Sequence, residues 1–219
     1  MIATLVPKLA RLSLAQRWLW PQLRPSVALG FVLYGGTAVS LHLGHRRSVD
    51  FDFFHDRPLD KPAIRAAFAF MSAARTLQES PDTLVVLAPA ERAAVKVSFF
   101  GEMRFGRTGD PLLTSDGVLE VASLEDLLAH KLKVILQRTA KRDYQDIAAV
   151  LDAGVPLKRG LAAARLFFGG AFQPAESLKA LTYFKERDLA PVPRAVRLRL
   201  IEAARSVGEL PRIALRSKS

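Results

Sequence analysis

The chain has 219 residues, of which 50% are hydrophobic, and it carries 32 Lys and Arg against 21 Asp and Glu, a formal net charge of +11. This composition supports a folded core in one large or two small domains and excludes a disordered chain. The absence of cysteine excludes disulfides, zinc–thiolate sites and thiol nucleophiles. The basic surplus predicts a polyanionic partner such as RNA, DNA or nucleotide phosphates, although an Arg- and Ala-rich composition can also reflect a GC-rich genome.

Residues 5–20 have apolar side chains at helical spacing and predict an amphipathic helix. Arg11, Arg17 and Pro21 interrupt the apolar character of this region, which is therefore unlike a signal peptide. No apolar stretch reaches the ~18 residues that span a bilayer. We therefore expect no membrane partner and a cytoplasmic location.

The next hundred residues predict alternating strands and helices. A buried strand over residues 31–34 stops at two glycines, a short helix covers 37–44, and residues 48–54 alternate as a strand. A helix is predicted over 61–74, two strands over 82–88 and 93–102 joined by a turn around Pro89, and a short strand over 116–122. We expect an α/β (α+β) lobe with a small mixed sheet over residues 1–122.

From residue 123 onward the pattern is helical throughout. Ser123 followed by Asp126 resembles a capping box and predicts a helix that continues to about Arg138. Asp143 looks like the N-cap of a second helix over residues 144–151, and further helices are predicted over 157–170, 175–184 and 192–207, before a frayed tail. We expect an all-helical lobe over residues 123–219.

Two carboxylates stand one residue apart in the strand predicted over 48–54. Residues i and i+2 of a strand share a face, so Asp50 and Asp52 are expected side by side, with Val49, Phe51 and Phe53 pointing into the core. Adjacent carboxylates repel each other, and a divalent cation such as Mg²⁺ would resolve the repulsion. The alternative is an ordinary exposed face of an edge strand.

Features that suit a phosphate surround these carboxylates. Gly35 and Gly36 allow close approach of the backbone, and the helix that begins at Thr37 would direct its N-terminal amides at an anion. Arg46 adds positive charge, and Ser48 shares the face of the carboxylates. Together these parts favour nucleotidyl transfer from a metal-bound nucleoside triphosphate.

The helical lobe offers a second set of charges. Lys131, Arg138 and Arg142 would share one face if the helix continued, and could contact triphosphate or an RNA backbone. Neighbouring leucines predict partial burial of Lys131, which then needs an anion. The alternatives are a solvated cationic face and, for Asp143, a helix N-cap alone.

These segments resemble known motifs. "YGGTAVSLHLGHRRSVDFDFF" resembles the first motif of the DNA-polymerase-β-like nucleotidyltransferases and, more narrowly, the G-G-T-A-x-x-L and R-x-S-x-D-[FI]-D pattern of the AbiEii/AbiGii toxin family of type IV toxin–antitoxin systems. The family's helical-lobe motif is matched as well. The residues that match the two motifs are Gly35, Gly36, Thr37, Ala38, Leu41, Arg46, Ser48, Asp50, Phe51, Asp52, His130, Lys131, Arg138, Arg142, Asp143 and Asp146.

The resemblance implies a nucleotidyltransferase-like catalytic lobe over 1–122 and a helical lobe over 123–219 that contributes to the site. Its implied catalytic residues are Asp50, Asp52, Lys131 and Asp143, of which Asp50 and Asp52 would hold Mg²⁺ or Mn²⁺. Its implied nucleotide-binding residues are Gly35, Gly36, Thr37, Arg46, Ser48, Arg138 and Arg142. An NTP donor, a tRNA acceptor and a cognate antitoxin are the expected partners.

One departure from the superfamily pattern concerns a third carboxylate, which usually sits on a later strand. Ser98 stands at the corresponding place here, with Lys96 nearby. This departure keeps a catalytically inactive nucleotide- or RNA-binding module open as an alternative. A small-molecule nucleotidyltransferase, of the kind that modifies antibiotics, is the other alternative, and the basic charge argues against it.

Overall fold

The computed structural model describes residues 3–91 and 93–216, and their contacts divide the chain into two compact units. The first unit contains the residues up to Arg104 together with Pro111–Ala122. The second contains Phe105–Asp110 and the residues from Ser123 onward. The lobes expected over 1–122 and 123–219 differ from these units in the segment Phe105–Asp110, and the roles expected of the two lobes stay predictions.

The first unit is built on a mixed sheet, which confirms the predicted fold class. The described strands are β1 (Thr4–Leu5), β2 (Val32–Tyr34), β3 (Phe51–Phe54), β4 (Arg75–Ser80), β5 (Thr83–Ala90), β6 (Ala93–Phe100), β7 (Leu112–Thr114) and β8 (Glu120–Val121). Their order in the sheet is β1-β7-β8-β2-β3-β6-β5-β4, with parallel pairing of β1 with β7, β2 with β8 and β3 with β6.

Aromatic packing fixes the centre of this sheet. Phe51 and Phe53 of β3 are fully buried, and the ring of Phe53 stacks on that of Phe99 in the neighbouring strand β6, with centroids 5.5 Å apart. Burial of large aromatic side chains supplies much of the stability of a core of this kind. Strand β3 is thus held in the middle of the sheet by its inward face, while Asp52 lies on the other face.

Short helices accompany the sheet: α1 (Leu14–Leu19), α2 (Pro25–Ala28), α3 (Gly35–Leu43) and α4 (Lys61–Ala67). The helix expected over residues 5–20 is wrong in extent, because the chain forms β1 and a 3-10 turn before α1 begins. A capping box sets that start, in which the Ser13 hydroxyl accepts from the Gln16 amide and the Gln16 side chain accepts from the Ser13 amide. Apolar spacing alone could not locate this boundary.

Other expectations for the first unit also need correction. The strands β5 and β6 stay paired to Ala90 and Ala93, so Pro89 lies within β5 and not in the turn. The helix expected over 61–74 ends at Ala67 and is followed by a 3-10 turn. Strand β4 was not expected, because it is an edge strand whose residues are all exposed and which therefore lacks an apolar alternation.

The second unit consists of helices, as expected. They are α5 (Leu124–Val134), α6 (Lys141–Asp152), α7 (Leu157–Phe168), α8 (Pro174–Thr182) and α9 (Arg194–Arg205). The predicted cap of α5 is confirmed, since the Ser123 hydroxyl accepts from the Asp126 amide. The expected continuation of α5 to Arg138 is wrong, because the helix ends at Val134.

A buried acid ties the segment Phe105–Asp110 to α5. The Asp126 carboxylate accepts hydrogen bonds from the amide and hydroxyl of Thr108, at 2.9 and 2.6 Å. Burial raises the pKa of Asp126, although these hydrogen bonds work in the opposite direction. This anchoring explains why the segment belongs to the helical unit.

The C-terminal tail also lies against this segment, so its expected fraying is wrong for the described part. The Arg216 amide donates to the Arg107 carbonyl at 2.8 Å, and the Arg216 guanidinium lies 3.3 Å from the Asp110 carboxylate. The expectation for residues 217–219 lies outside the described residues. Among the described residues, no helix is long and apolar enough to span a bilayer.

Candidate active site

The two carboxylates singled out in the sequence lie at the start of β3. Asp52 is within the strand, between Tyr34 of β2 and Ser98 of β6. Asp50 precedes the first paired residue of β3, so the regular alternation begins only at Phe51. The expectation that Val49 points into the core is therefore wrong, because 59% of its surface is exposed.

Two contacts hold Asp50 in place from different elements. The buried Thr37 hydroxyl on α3 donates a short hydrogen bond to the Asp50 main-chain carbonyl. The Lys96 ammonium on β6 lies 3.0 Å from the Asp50 carboxylate. The Thr37 side chain, expected to bind nucleotide, is thus engaged in positioning the chain that carries Asp50.

The glycines at the start of α3 face the charged residues directly. A Cβ at Gly35, whose φ is +75°, would lie 2.6 Å from the Asp52 carboxylate. A Cβ at Gly36 would lie 2.5 Å from the Arg46 guanidinium and 2.9 Å from the Ser48 hydroxyl. The helix begins at Gly35, two residues earlier than expected, so its N-terminal amides lie where these side chains converge.

The oxygen ligands of the two carboxylates suit a hard cation whose other ligands are water and substrate. No cluster of three or more His, Asp or Glu side chains able to hold a metal occurs among residues 3–91 and 93–216. Mg²⁺ is commonly held by one or two carboxylates together with waters and substrate phosphates. Asp50 and Asp52, beside a helix start that suits phosphate, fit this mode, and Ser98 faces Asp52 where a third carboxylate was expected.

A second charged cluster lies within the helical unit. The Lys131 ammonium on α5 lies 2.7 Å from the Asp143 carboxylate and 2.6 Å from that of Asp146, both on α6. Arg138 also donates to Asp143, at 2.9 Å. Lys131 is only 5% exposed and both aspartates are fully buried, so burial demands this pairing.

The single basic stripe expected on one helix does not form. Because α5 ends at Val134, Arg138 lies in the loop between α5 and α6 and reaches Lys131 only through Asp143. Arg142 lies on α6 and is exposed. The expected anion for the buried Lys131 is present in the chain itself, as two aspartates.

Asp143 is not the helix N-cap that its local sequence suggested. Ala140 occupies that position, and Asp143 lies in the first turn of α6 with its side chain directed to Lys131 and Arg138. Burial raises the pKa of Asp143, but the hydrogen bonds and positive charges of Arg138 and Lys131 outweigh it and hold the pKa below its ordinary value. The carboxyl group therefore stays ionised at neutral pH.

Sequence reasoning gave too little weight to two residues, Lys96 and Asp146. Asp146 was considered only as a residue that matches the family motif, yet it is a full partner of Lys131. The signal for Asp146 was its spacing of three residues from Asp143, which places both on one helix face. Lys96 carried no local signal, because its partner Asp50 is distant in sequence and lies just before β3.

A mixed sheet with Asp50 and Asp52 beside a glycine-led helix, followed by a helical unit, is the arrangement expected of a nucleotidyltransferase. The sequence matches, over residues 23–213, the family described as nucleotidyl transferase AbiEii toxin, type IV TA system, and the chain belongs to that family. The fold is similar to that of MenT4, a nucleotidyltransferase toxin of Mycobacterium tuberculosis H37Rv, with a TM-score of 0.59, 16% identity, and coverage of 89% of this chain and 82% of that one.

A sequence relative is also found in Aquifex aeolicus (strain VF5). This uncharacterized protein is 36% identical over 119 residues, which span 53% of this chain and 55% of the relative. The match therefore covers about half the length of that relative.

Proposed function

We propose that the protein transfers a nucleoside monophosphate from an NTP to an RNA acceptor, in a reaction that depends on a divalent metal. The observation that carries this proposal is the close approach of the start of α3 to β3. A Cβ added at Gly35 would lie only 2.6 Å from the Asp52 carboxylate. A helix start that would bind phosphate and a carboxylate that would bind the metal are thereby adjacent, which supports nucleotidyl transfer. Membership of the AbiEii family supports the same reaction.

The chain's own residues would bind and orient the triphosphate in the first unit. The amides of Gly35 and Gly36 would donate to its phosphate oxygens, and the Arg46 guanidinium would neutralise charge beside them. Asp50 and Asp52 would hold Mg²⁺ or Mn²⁺. When bound, that metal supplies charge stabilisation for the transferring phosphoryl group.

We further propose that the cluster in the helical unit serves the reaction. Arg138 and Arg142 would supply positive charge to phosphate, while the buried Lys131 would hold Asp143 and Asp146 in place. Asp143 is a weak proton acceptor because its pKa is lowered, so we assign it the task of orienting Lys131 and not that of a general base.

We propose tRNA as the acceptor. A net charge of +11 favours a polyanionic acceptor over a polycationic small molecule. The family description names a toxin–antitoxin system, which supports a cognate antitoxin as a partner. A cytoplasmic location is proposed with these assignments, because NTPs and tRNA are found there.

A specific observation favours a second candidate, an inactive nucleotide- or RNA-binding module. Strand β6 places Ser98 opposite Asp52 and pairs Lys96 with Asp50, where a catalytic site of this superfamily is expected to offer a further acid. A chain of this kind would bind NTP without turning it over.

A transfer assay separates these functions. Purified protein is incubated with Mg²⁺, each α-³²P-labelled NTP in turn, and either total bacterial tRNA or a panel of small hydroxylated acceptors. We expect label on tRNA from one preferred NTP, and its loss in Asp50→Asn. Asp60→Asn is the matched control, because Asp60 caps α4 and asparagine caps equally well.

Each outcome has a distinct meaning. Label on a small acceptor but not on tRNA would show that the acceptor is a small molecule and not RNA. NTP binding without any transfer by the folded protein would favour the binding module. Full activity in Asp50→Asn would overturn the assignment of the carboxylate site.

A further inference from the structure

Strand β6 presents a lysine and a serine to the carboxylates of the candidate metal site. The parallel pairing sets Ser98 opposite Asp52, and Lys96 lies two residues earlier on the same face of β6. The Lys96 ammonium lies 3.0 Å from the Asp50 carboxylate. The position next to Asp50 is therefore occupied by a cation that belongs to the chain.

A cation at this place has a clear electrostatic consequence. Two carboxylates in close succession repel each other, and a neighbouring ammonium relieves that repulsion when no metal is bound. A divalent ion that approaches Asp50 meets this same positive charge and must displace it. The ion pair is only partly buried, with side-chain exposures of 41% for Lys96 and 29% for Asp50, so the lysine can move into water.

We propose that Lys96 is a resident counter-ion of the carboxylate pair that competes with the divalent metal for Asp50. The proposal rests on the proposed function, since it takes Asp50 and Asp52 as metal ligands. Asp50 and Asp52 would then hold one divalent ion, weakly while the nucleotide is absent, and the Lys96 ammonium would leave Asp50 when metal and nucleotide bind together.

Metal affinity measured without any substrate tests this competition. Mn²⁺ is titrated into the protein and the free ion is followed by electron paramagnetic resonance, which gives the stoichiometry and the dissociation constant. We expect one Mn²⁺ per wild-type chain and about tenfold tighter binding by Lys96→Met, because the charge that repels the ion is removed. Lys96→Arg keeps the charge and should bind Mn²⁺ as the wild type does.

Lys61→Met is the matched control. Lys61 also forms a partly exposed ion pair in the first unit, with Glu79 at 3.4 Å, and its replacement should leave Mn²⁺ affinity unchanged. A second measurement protects against a variant that is merely destabilised. In EDTA the unfolding temperature of Lys96→Met should fall below that of the wild type, and saturating Mn²⁺ should restore it.

The results distinguish failure of this proposal from failure of the metal site itself. If Lys96→Met binds Mn²⁺ no more tightly than the wild type does, and Asp50→Asn does not bind it, the role of Lys96 is overturned. The assignment of the metal site to the carboxylates then stands. Binding of two ions by the wild type also overturns it. If Asp50→Asn binds Mn²⁺ as tightly as the wild type does, Asp50 is not a metal ligand, and both the carboxylate site and the role of Lys96 are overturned.

Discussion

Replacing Lys131 by methionine should destabilise the helical unit strongly. Its ammonium lies 2.7 and 2.6 Å from the carboxylates of Asp143 and Asp146, both fully buried, and only 5% of Lys131 is exposed. Methionine preserves most of the side-chain volume but leaves two buried negative charges without this cation. Removing one partner of a buried ion pair costs about 3–5 kcal/mol of unfolding free energy, and we expect Lys131→Met to fall in that range at pH 7.

The penalty should depend on pH in a defined direction. The pKa of Asp143 is lowered in the folded protein, so its contribution to stability is present above the unfolded pKa of about 3.9 and is lost as the pH falls through the lower folded value. Without the Lys131 ammonium, the buried Asp143 loses one of the charges that lower its pKa and takes up a proton more readily. The difference between wild type and Lys131→Met should therefore be largest near pH 7 and shrink toward pH 4.

Urea unfolding at pH 7 and pH 4 measures both effects, with far-UV circular dichroism as the probe of helices. The chain's two tryptophans, Trp18 and Trp20, lie in the first unit, so their fluorescence reports that unit in the same samples. Lys61→Met removes a partly exposed ion pair and should change stability by less than about 1 kcal/mol. A penalty below about 1 kcal/mol for Lys131→Met, or one that does not vary with pH, would refute this reasoning.

Two further predictions concern single residues in each unit. Gly35→Ala should abolish nucleotide transfer and lower the unfolding free energy by about 1–2 kcal/mol, because φ is +75° and the added Cβ meets the Asp52 carboxylate; Gly208→Ala, in open space, should leave the transfer assay and the urea midpoint unchanged. Burial lowers the pKa of His130 to about 3, so its ring resonances in proton NMR should not titrate between pH 8 and pH 5. Because unfolded histidine protonates near pH 6.5, the stability that His130 contributes is lost as the pH falls below that value, and a titration of His130 near pH 6.5 in the folded protein would contradict this assignment.

Local sequence patterns were sufficient where a short segment carries its own physical reason. The fully buried Phe51 and Phe53 follow the predicted alternation, and Ser123 caps its helix as expected, because both depend on neighbours within a few residues. Gly44 likewise ends α3 in the left-handed conformation. These signals are short in range, so the sequence alone was enough to predict them.

Partners from distant segments were beyond local reasoning. Aspartate is a residue type favoured at the N-cap, yet the side-chain direction of Asp143 is determined by its burial against Lys131 and Arg138. Arg138 was expected on a continuous helix, but α5 ends at Val134, and the following loop brings the Arg138 guanidinium to Asp143. Capping preference is worth about 1 kcal/mol, whereas leaving a buried charge unpaired costs several times more, and the larger effect prevails.

The sequence by itself showed which groups the chain carries, namely two aspartates one residue apart, two glycines before a helix and a lysine–arginine motif. The family match covers residues 23–213. Only the tertiary structure decided how those charges are paired. It joined Lys96 on β6 to Asp50, just before β3, and enclosed Lys131 between two aspartates. The physical reason is that residue type and spacing set which groups a chain carries, while burial and strand register determine which of them meet and therefore which charges can stay ionised.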